Sequence, residues 1–581
     1  MGAQADRGVF PPFDRKFFES DRDFTVIGGG ELGGKALGLA TAKRIVEEAL
    51  PPGSLPGVEV SIPRLTVLGT GVFEQFMETN DLREVALSDL PDDRIAHAFV
   101  QAELPPVCVG DLHALIAQTH TPLAVRSSSR LEDALQHPFA GVYATKMIPN
   151  NQAATADRFR KLAEAIKFVW ASTFFRDAKS YMRVIGHPLG SERMAVVVQE
   201  VVGERFGDRY YPVISGVIRT HNFYPSGPAR PEDGVVNLAL GLGKTIVDGG
   251  VTWTYSPRFP NHRPPFGSAR ELLANTQTQF WAVSMEAAPY DPVNEAEHLV
   301  QCGLDVAEWD DVLRFTASTY DAASDRLTLG IGVEGPRVLT FGRILELNDV
   351  PLNHVVERLS AQCKAALQCD VEIEFAVTLD RRTGLPARFG FLQVRPMMVA
   401  QDSVQVSEED LCGDGALVAS ETVLGNGRDD SIADVVYVKP TAFEARHTPA
   451  IAAEVETLNR ELASAGRPYV LIGFGRWGSS DPWLGVPATW PQISGARVIV
   501  EATLPEMNVD ASQGSHFFHN MISFGVLYFT VRHTDRYAID WQWLDGQPAS
   551  SETRFLRHVR LGVPLEVRVD GRHGRGVMLH R

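Results

Sequence analysis

Residues 371–396 read VEIEFAVTLDRRTGLPARFGFLQVRP. Side chains alternate across a strand, so in the first half Glu372 and Glu374 share one face while Ile373 and Phe375 take the other. In the second half Gln393 and Arg395 share a face, and Leu392 and Val394 oppose it. Thr-Gly stands among charged residues between the two halves, and an antiparallel hairpin is the simplest connection. That pairing would set Glu374 across from Gln393. A carboxylate and an amide oxygen are the hard ligands magnesium takes when substrate phosphates fill its other positions, and Arg395 on the same face would hold a phosphate. A sheet with one solvated polar face gives the same pattern without chemistry, so the reading turns on what the rest of the chain supplies.

Two upstream segments supply charge. GGGELGGKALG at 28–38 has three readings. Gly28-x-Gly30-x-x-Gly33 fits a dinucleotide fingerprint, a cheap frame in a chain with 50 glycines. Gly29-x-x-x-x-Gly34-Lys35 fits a P-loop until Ala36, where a hydroxyl should stand. The third needs only physics: glycines let backbone N–H groups approach an anion, a helix opening at Ala36 turns its positive end there, and Lys35 adds charge. A tight strand-to-helix turn with a solvated lysine is the plain alternative. In LAVRSSSRLEDALQHPFAGVYAT at 123–145, an apolar strand runs into Arg126, three serines, Arg130, Glu132 and Asp133. Arginine offers a planar fork suited to phosphate, and serine hydroxyls add neutral donors. A polar turn closed by an Arg-to-Asp pair would look the same.

Punctuation and periodicity organise the chain. Residues 1–20 mix proline, charge and aromatics and read as an arm. FTVI before the glycines and KALGLATAKRIVEEAL after them give strand, loop, helix, while ATADRFRKLAEAIKFVWASTFFRDAKSYMRV and RMAVVVQEVV give a helical stretch and then a strand buried on both faces. Helices alternating with strands make an α/β protein. The acidic, Gly- and Ser-rich residues 401–434 read as a linker, leaving 435–581 as a smaller mixed α/β domain.

In order along the chain, GGKALGLA, IPRLTVLGTGVFEQFM, VRSSSRLED to FAGVYAT, FVWASTFFRDAKSYMR, VVVQEVV, SGVIRT, ALGLGKTIVDGG, and EIEFAV to FLQVRP resemble the ATP-binding domain of phosphoenolpyruvate synthase and pyruvate phosphate dikinase. The resemblance covers roughly residues 25–400. It implies an ATP-grasp module of two subdomains, 21–210 and 211–400, closing on ATP and Mg2+. On this resemblance Lys35, Arg126 and Arg395 touch phosphate, Gln199 and Glu200 lie near the adenine edge, and Glu374 and Gln393 hold magnesium. The chain also departs from the family pattern. No Thr-x-His carrier motif follows residue 400, and 181 residues are too few for the pyruvate-binding barrel. Lys244 stands in GLGK where an acidic residue is expected. Complete phosphoenolpyruvate synthesis within this chain is therefore not expected.

Composition narrows the rest. Lys plus Arg is 55 against 72 Asp plus Glu, a net −17 over 581 residues, which repels polyphosphate backbones and argues against bulk nucleic-acid binding. No apolar stretch reaches membrane-span length and the start lacks a signal-peptide pattern, so a soluble cytoplasmic protein is expected. Five scattered cysteines with no C-x-x-C pair argue against a disulfide framework or a zinc knuckle. In the C-terminal third, YVLIGFGRWGSSDPWLGVPATW at 469–490 can bind an anion or stack on a ring. His516 and His519 in DASQGSHFFHNMISFGVLYFTV are candidate phosphoryl acceptors, with 402–434 as a hinge, against the plainer reading of two polar histidines on a packed helix. The expectation is an ATP-dependent phosphotransferase passing a phosphoryl or pyrophosphoryl group to an unidentified small-molecule acceptor. A nucleotide-responsive binding subunit, or half of a split system with its phosphocarrier protein on another chain, are the alternatives.

Overall fold

The computed structural model describes residues 10–15, 23–51, 53–132, 141–262, 268–380, 385–397, 399, 404–413, 415–479, 481–509, 521, 524–571 and 573–580. A five-stranded sheet comes first, ordered Phe24–Ile27, Leu65–Leu68, Ala195–Glu200, Leu123–Ser128, Thr145–Ile148. Its central strand carries the AVVV run, and both faces are indeed covered. Ile27, Leu68, Val196 and Val198 pack against helices that include Thr70–Thr79, Asp92–Gln101 and Thr155–Ser172, around Phe76, Phe99 and Trp170. Leu65, Val67, Ala195 and Val197 turn the other way, toward Ala36 and Leu39 of the helix Gly33–Ala49. Burying a side chain the size of Trp170, which is 0% exposed, contributes on the order of 3 kcal/mol.

A second, six-stranded sheet is ordered Trp253–Tyr255, Val235–Ala239, Ile214–Arg219, Val371–Leu379, Ala387–Pro396, Val58–Ser61. The expected hairpin forms its centre, with Glu372 opposite Arg395 and Glu374 opposite Gln393. The helix Gly33–Ala49 lies between the two sheets, sharing one core with Ile373, Phe391 and Val394. A division into 21–210 and 211–400 therefore does not follow the packing: this helix and the strand Val58–Ser61 belong with the second sheet. Apolar faces recruit partners by burial, whatever their order in sequence.

The C-terminal region holds a seven-stranded sheet, ordered Val423–Leu424, Leu527–Val531, Ala496–Ala502, Tyr469–Phe474, Asp434–Val438, Leu556–Arg560, Ala549–Glu552. Beside it stands a four-stranded sheet of Ala416–Ser420, Arg575–Leu579, Glu566–Asp570 and Asn426–Asp429. The linker expected at 401–434 is thus corrected, because Ala416–Ser420, Val423–Leu424 and Asn426–Asp429 are strands within these sheets. Gly425, at φ +92°, turns the chain between Val423–Leu424 and Asn426–Asp429, and pairing to neighbouring strands fixes these short strands as no hinge would be. The two regions also pack directly: Tyr181 of the helix Arg176–Val184 lies 5.3 Å from Phe524, which stacks on Trp490 at 4.9 Å. Among the described residues no helix is long and apolar enough to cross a membrane.

Candidate functional site

A cavity of about 540 Å3 opens between the two N-terminal sheets. Its wall includes Lys35, Arg126, Gln199, Glu200, Glu374, Gln393 and Arg395, the residues that the resemblance assigns to nucleotide or metal, while Arg130 pairs with Glu31 at 3.0 Å away from it. Strand register brings them together. Arg126 projects from the first sheet, and the second presents Glu374 and Gln393 as directly opposed partners. Arg126 spans the gap, donating from Nη2 to Gln393 Oε1 at 2.8 Å and to Glu374 Oε2 at 3.3 Å, and from Nη1 to the Leu392 carbonyl at 3.0 Å and Gln199 Oε1 at 3.4 Å. One nitrogen reaches both the carboxylate and the amide oxygen, so these hard oxygens converge on a single point. Gln199 Nε2 is buried with no hydrogen-bond partner, a donor available to a ligand. Gln199 therefore stands beside the arginine fork as well as in the wall that Glu200 continues.

Behind the wall lies a charged ladder. Glu372 accepts from Arg395 Nε at 2.8 Å and from Arg219 Nε at 2.7 Å, and all three residues are at most 4% exposed. Both guanidiniums are held by one carboxylate, which fixes Arg395 on the cavity side of the sheet.

Part of the glycine segment is engaged by a neighbouring stretch of chain. The helix begins at Gly33, and its first amides already have partners: Gly34 N donates to Ser129 O at 2.8 Å and Ala36 N to Ser128 Oγ at 3.2 Å. Gly33 has φ +77°, and a Cβ there would meet Ser128 O at 1.8 Å, so glycine is required for close approach of two chain segments. The arginine-serine block, by docking here, takes up the Gly34 and Ala36 amides. Only the Lys35 side chain joins the cavity wall, donating to Glu132 Oε1 at 2.6 Å and Ser127 Oγ at 3.3 Å.

Sequence reasoning missed several residues of the wall. Glu132 lies in the quoted block, yet its pairing with Lys35 is a contact across 97 positions. Lys244 pairs with Asp248 at 2.8 Å, and both face the cavity. Glu295 accepts from Thr145 N at 2.8 Å, and burial pushes its carboxyl above the usual range. Its loop is pinned by Lys146, which is 1% exposed and donates to the carbonyls of Pro292 at 2.7 Å and Asn294 at 2.8 Å and pairs with Glu297 at 2.9 Å. A lysine alternating with Ala144 and Ile148 on the buried face of a strand is the signal that could have pointed there. His516 and His519 lie outside the described residues, as does Asp133.

Charge decides what such a cavity can take. Its described wall carries Lys35, Arg126, Lys244 and Arg395 against seven carboxylates. Burial pushes the carboxyls of Asp177, Glu200 and Glu295 above their ordinary range. A polyanion entering here would require accompanying cations. Among the described residues no cluster of three or more His, Cys, Asp or Glu could hold a metal ion. Glu374 and Gln393 do fit a magnesium ion whose other positions are filled by phosphate oxygens and water, the usual arrangement for that metal.

Comparison with known proteins gives the same direction. Residues 30–412 match the family model described as the AMP/ATP-binding domain of pyruvate phosphate dikinase. The uncharacterized phosphotransferase YvkC of Bacillus subtilis is 28% identical over 193 residues, 33% of this chain and 20% of that protein. The phosphoenolpyruvate synthase of Aeropyrum pernix is 29% identical over 236 residues, 38% of this chain and 26% of that protein. The rifampicin phosphotransferase of Streptomyces sviceus is 28% identical over 218 residues, 34% of this chain and 22% of that protein. The chain thus spans about a quarter or less of the length of these relatives. With the family match covering well over half of the chain, and two sheets facing one charged cavity, the chain belongs to the pyruvate phosphate dikinase AMP/ATP-binding domain family, an ATP-grasp-type α/β fold.

Proposed function

We propose that this protein is a magnesium- and ATP-dependent phosphotransferase that passes a phosphoryl or pyrophosphoryl group to a small-molecule acceptor. One observation carries the reading: Lys35, Arg126 and Arg395 share a single cavity wall with the convergent oxygens of Glu374 and Gln393. Phosphoryl transfer asks for little covalent chemistry from a protein and for much positioning and charge stabilisation. Here Arg126 and Lys35 would clamp phosphate oxygens, Arg395 would be held on the same face by Glu372, and Gln199 Nε2 would bond the nucleotide. Glu374 and Gln393 would hold magnesium, which when bound neutralises charge on the phosphates.

The test is turnover in Glu374→Gln. This isosteric change removes the formal charge facing the metal and should abolish ATP consumption while the protein still melts cooperatively. Wild-type turnover across a magnesium titration would reduce the hairpin to a structural role. Product analysis with β-labelled ATP separates the transfer modes. AMP as product, with acid-labile label on His516 or His519, fits pyrophosphoryl transfer through a histidine. ADP as sole product means direct γ-transfer. Absence of nucleotide breakdown with any metabolite extract would favour a nucleotide-responsive binding subunit.

A further inference from the structure

A second cavity, of about 510 Å3, lies at the seam between the ATP-binding module and the C-terminal region. The module contributes an aromatic and hydroxyl-rich wall with Trp253, Asn237, Thr252 and Thr254, and the C-terminal region contributes Arg476, Arg532 and His573. Arg476 belongs to GRWGSSDPW, the motif that nothing in the nucleotide site uses.

Three observations bear on what this seam could hold. First, the C-terminal wall is held in place. Arg476 Nη1 donates to the Gly249 carbonyl at 2.6 Å, across the seam, and its neighbour Trp477 donates its backbone N–H to buried Glu501 at 2.7 Å. Second, a histidine is oriented there. His573 Nδ1 lies 2.7 Å from Oδ2 of Asp570, a residue 2% exposed, which leaves the opposite ring nitrogen, Nε2, as the one a ligand would meet. Third, Trp253 carries a buried indole N–H with no partner.

The wall also selects the kind of ligand. Among the described residues its charges are Arg476 and Arg532 against Glu421 and Asp535, with His573, so no net charge attracts an anion. Hydroxyls, amides, charges of both signs in equal number and an indole together suit a neutral ring compound rich in hydroxyl groups. Such a ligand stacks its apolar face and offers each O–H both as donor and as acceptor.

The two cavities are close neighbours on one sheet. Thr254, Asn237, Val217, Glu374 and Gln393 are paired in a single row across adjacent strands, the first two in the seam cavity and the last three in the nucleotide cavity. Asn237 and Glu374 are two strands apart, roughly 10 Å at the usual strand spacing. A hydrogen-bond chain runs alongside this row. Thr252 and Thr254 accept from Asn237 at 3.0 and 2.8 Å, Asn237 Oδ1 accepts from Arg219 at 3.0 Å, and Arg219 shares Glu372 with Arg395. The short helix Lys244–Val247 and Asp248 at its end line the nucleotide cavity, while Gly250 and Thr252, just beyond, line the seam.

We propose that the seam cavity binds a neutral, hydroxylated ring compound of the sugar or nucleoside class, with Trp253 as its stacking face and Arg476 and His573 as its polar contacts. That this ligand is the phosphoryl acceptor rests on the function proposed above; that it binds does not. The test titrates the full-length protein with methyl β-D-glucoside, uridine and benzoate at millimolar concentration, with ADP and magnesium present, reading tryptophan fluorescence and saturation-transfer NMR. A saturable signal from the glucoside or from uridine is expected, and which of them binds assigns the ligand to one source. Trp253→Leu and Arg476→Met should each weaken it about tenfold, as loss of a stacking or charged contact does. If Trp253→Leu fails to melt cooperatively, His573→Gln, at an exposed position, carries the same expectation. Binding of benzoate with both hydroxylated probes silent would overturn the proposal, as would no saturable signal or one indifferent to these variants. ATP binding is read separately in Arg126→Ala, so either cavity's assignment can fail without the other.

Discussion

The two cavities are built in opposite ways. Around the nucleotide cavity, functional groups stand on paired strands: Glu374 faces Gln393 and Glu372 faces Arg395 because the hairpin register puts them there, and Arg126 comes from the neighbouring sheet. Charges crowd its wall, each described arginine and lysine there having a carboxylate or amide within reach. The seam cavity is walled largely by loops and strand ends, with fewer charges and many hydroxyls and amides. The difference teaches where rigidity comes from. A register is enforced by every hydrogen bond of the ladder, whereas a seam depends on a few contacts such as Arg476 with Gly249. Deletions in the first cavity should therefore cost more than deletions in the second.

The largest effect on stability should come from Glu372→Gln. It leaves the Arg219 and Arg395 guanidiniums buried without their carboxylate, which typically costs about 3 to 5 kcal/mol. Urea denaturation should show that loss, and a change within experimental scatter would break the view of the ladder as the rigid base of the site. Next, Arg126→Ala should weaken ATP by about 2 to 5 kcal/mol, the cost of a desolvated bidentate charge contact. Calorimetry should find adenosine nearly unaffected, and equal losses for both ligands would remove Arg126 from the phosphates. Arg476→Met should cost less, about 1.5 to 3 kcal/mol for hydrogen bonds from a charged group. Hydrogen exchange should rise at Gly249 and Gly250 before it rises in the hairpin, and unchanged exchange there would mean the seam is held by its apolar contacts alone.

The smallest effect concerns acid. Burial pushes the Glu297 carboxyl up, but bonds from Lys161 and Lys146 outweigh that and hold it at about 2, against an ordinary 4.5. A depressed carboxyl contributes stability above its unfolded value, lost as pH falls from about 4.5 toward 2. Glu297→Gln should flatten the melting temperature over that window and leave the slope near neutrality unchanged. A wild-type acid slope in the variant would show that the Lys146 clamp on the Glu295 loop gains nothing from this ion pair.

Much of this was legible in the residues themselves. Alternation of charged and apolar residues in 371–396 determined that Glu372 and Glu374 share a face and that Gln393 and Arg395 answer them, because a strand's period of two is a local property. The AVVV run announced a strand covered on both sides for the same reason. Other features were decided only by tertiary structure. The helix amides behind the glycines look open in sequence and are filled by Ser128 and Ser129, residues about a hundred positions away. Residues 401–434 look like a connection because short strands between Gly-rich turns carry too little periodicity to be seen, and only their partners in two sheets make them strands. Glu295 and Glu132 reach the cavity through single long-range contacts, with Thr145 and Lys35, that leave no pattern in the chain. Period and composition are set by neighbours in sequence. Which faces meet, which amides are spent and where two cavities fall on one sheet are set by the burial of apolar surface across the whole molecule.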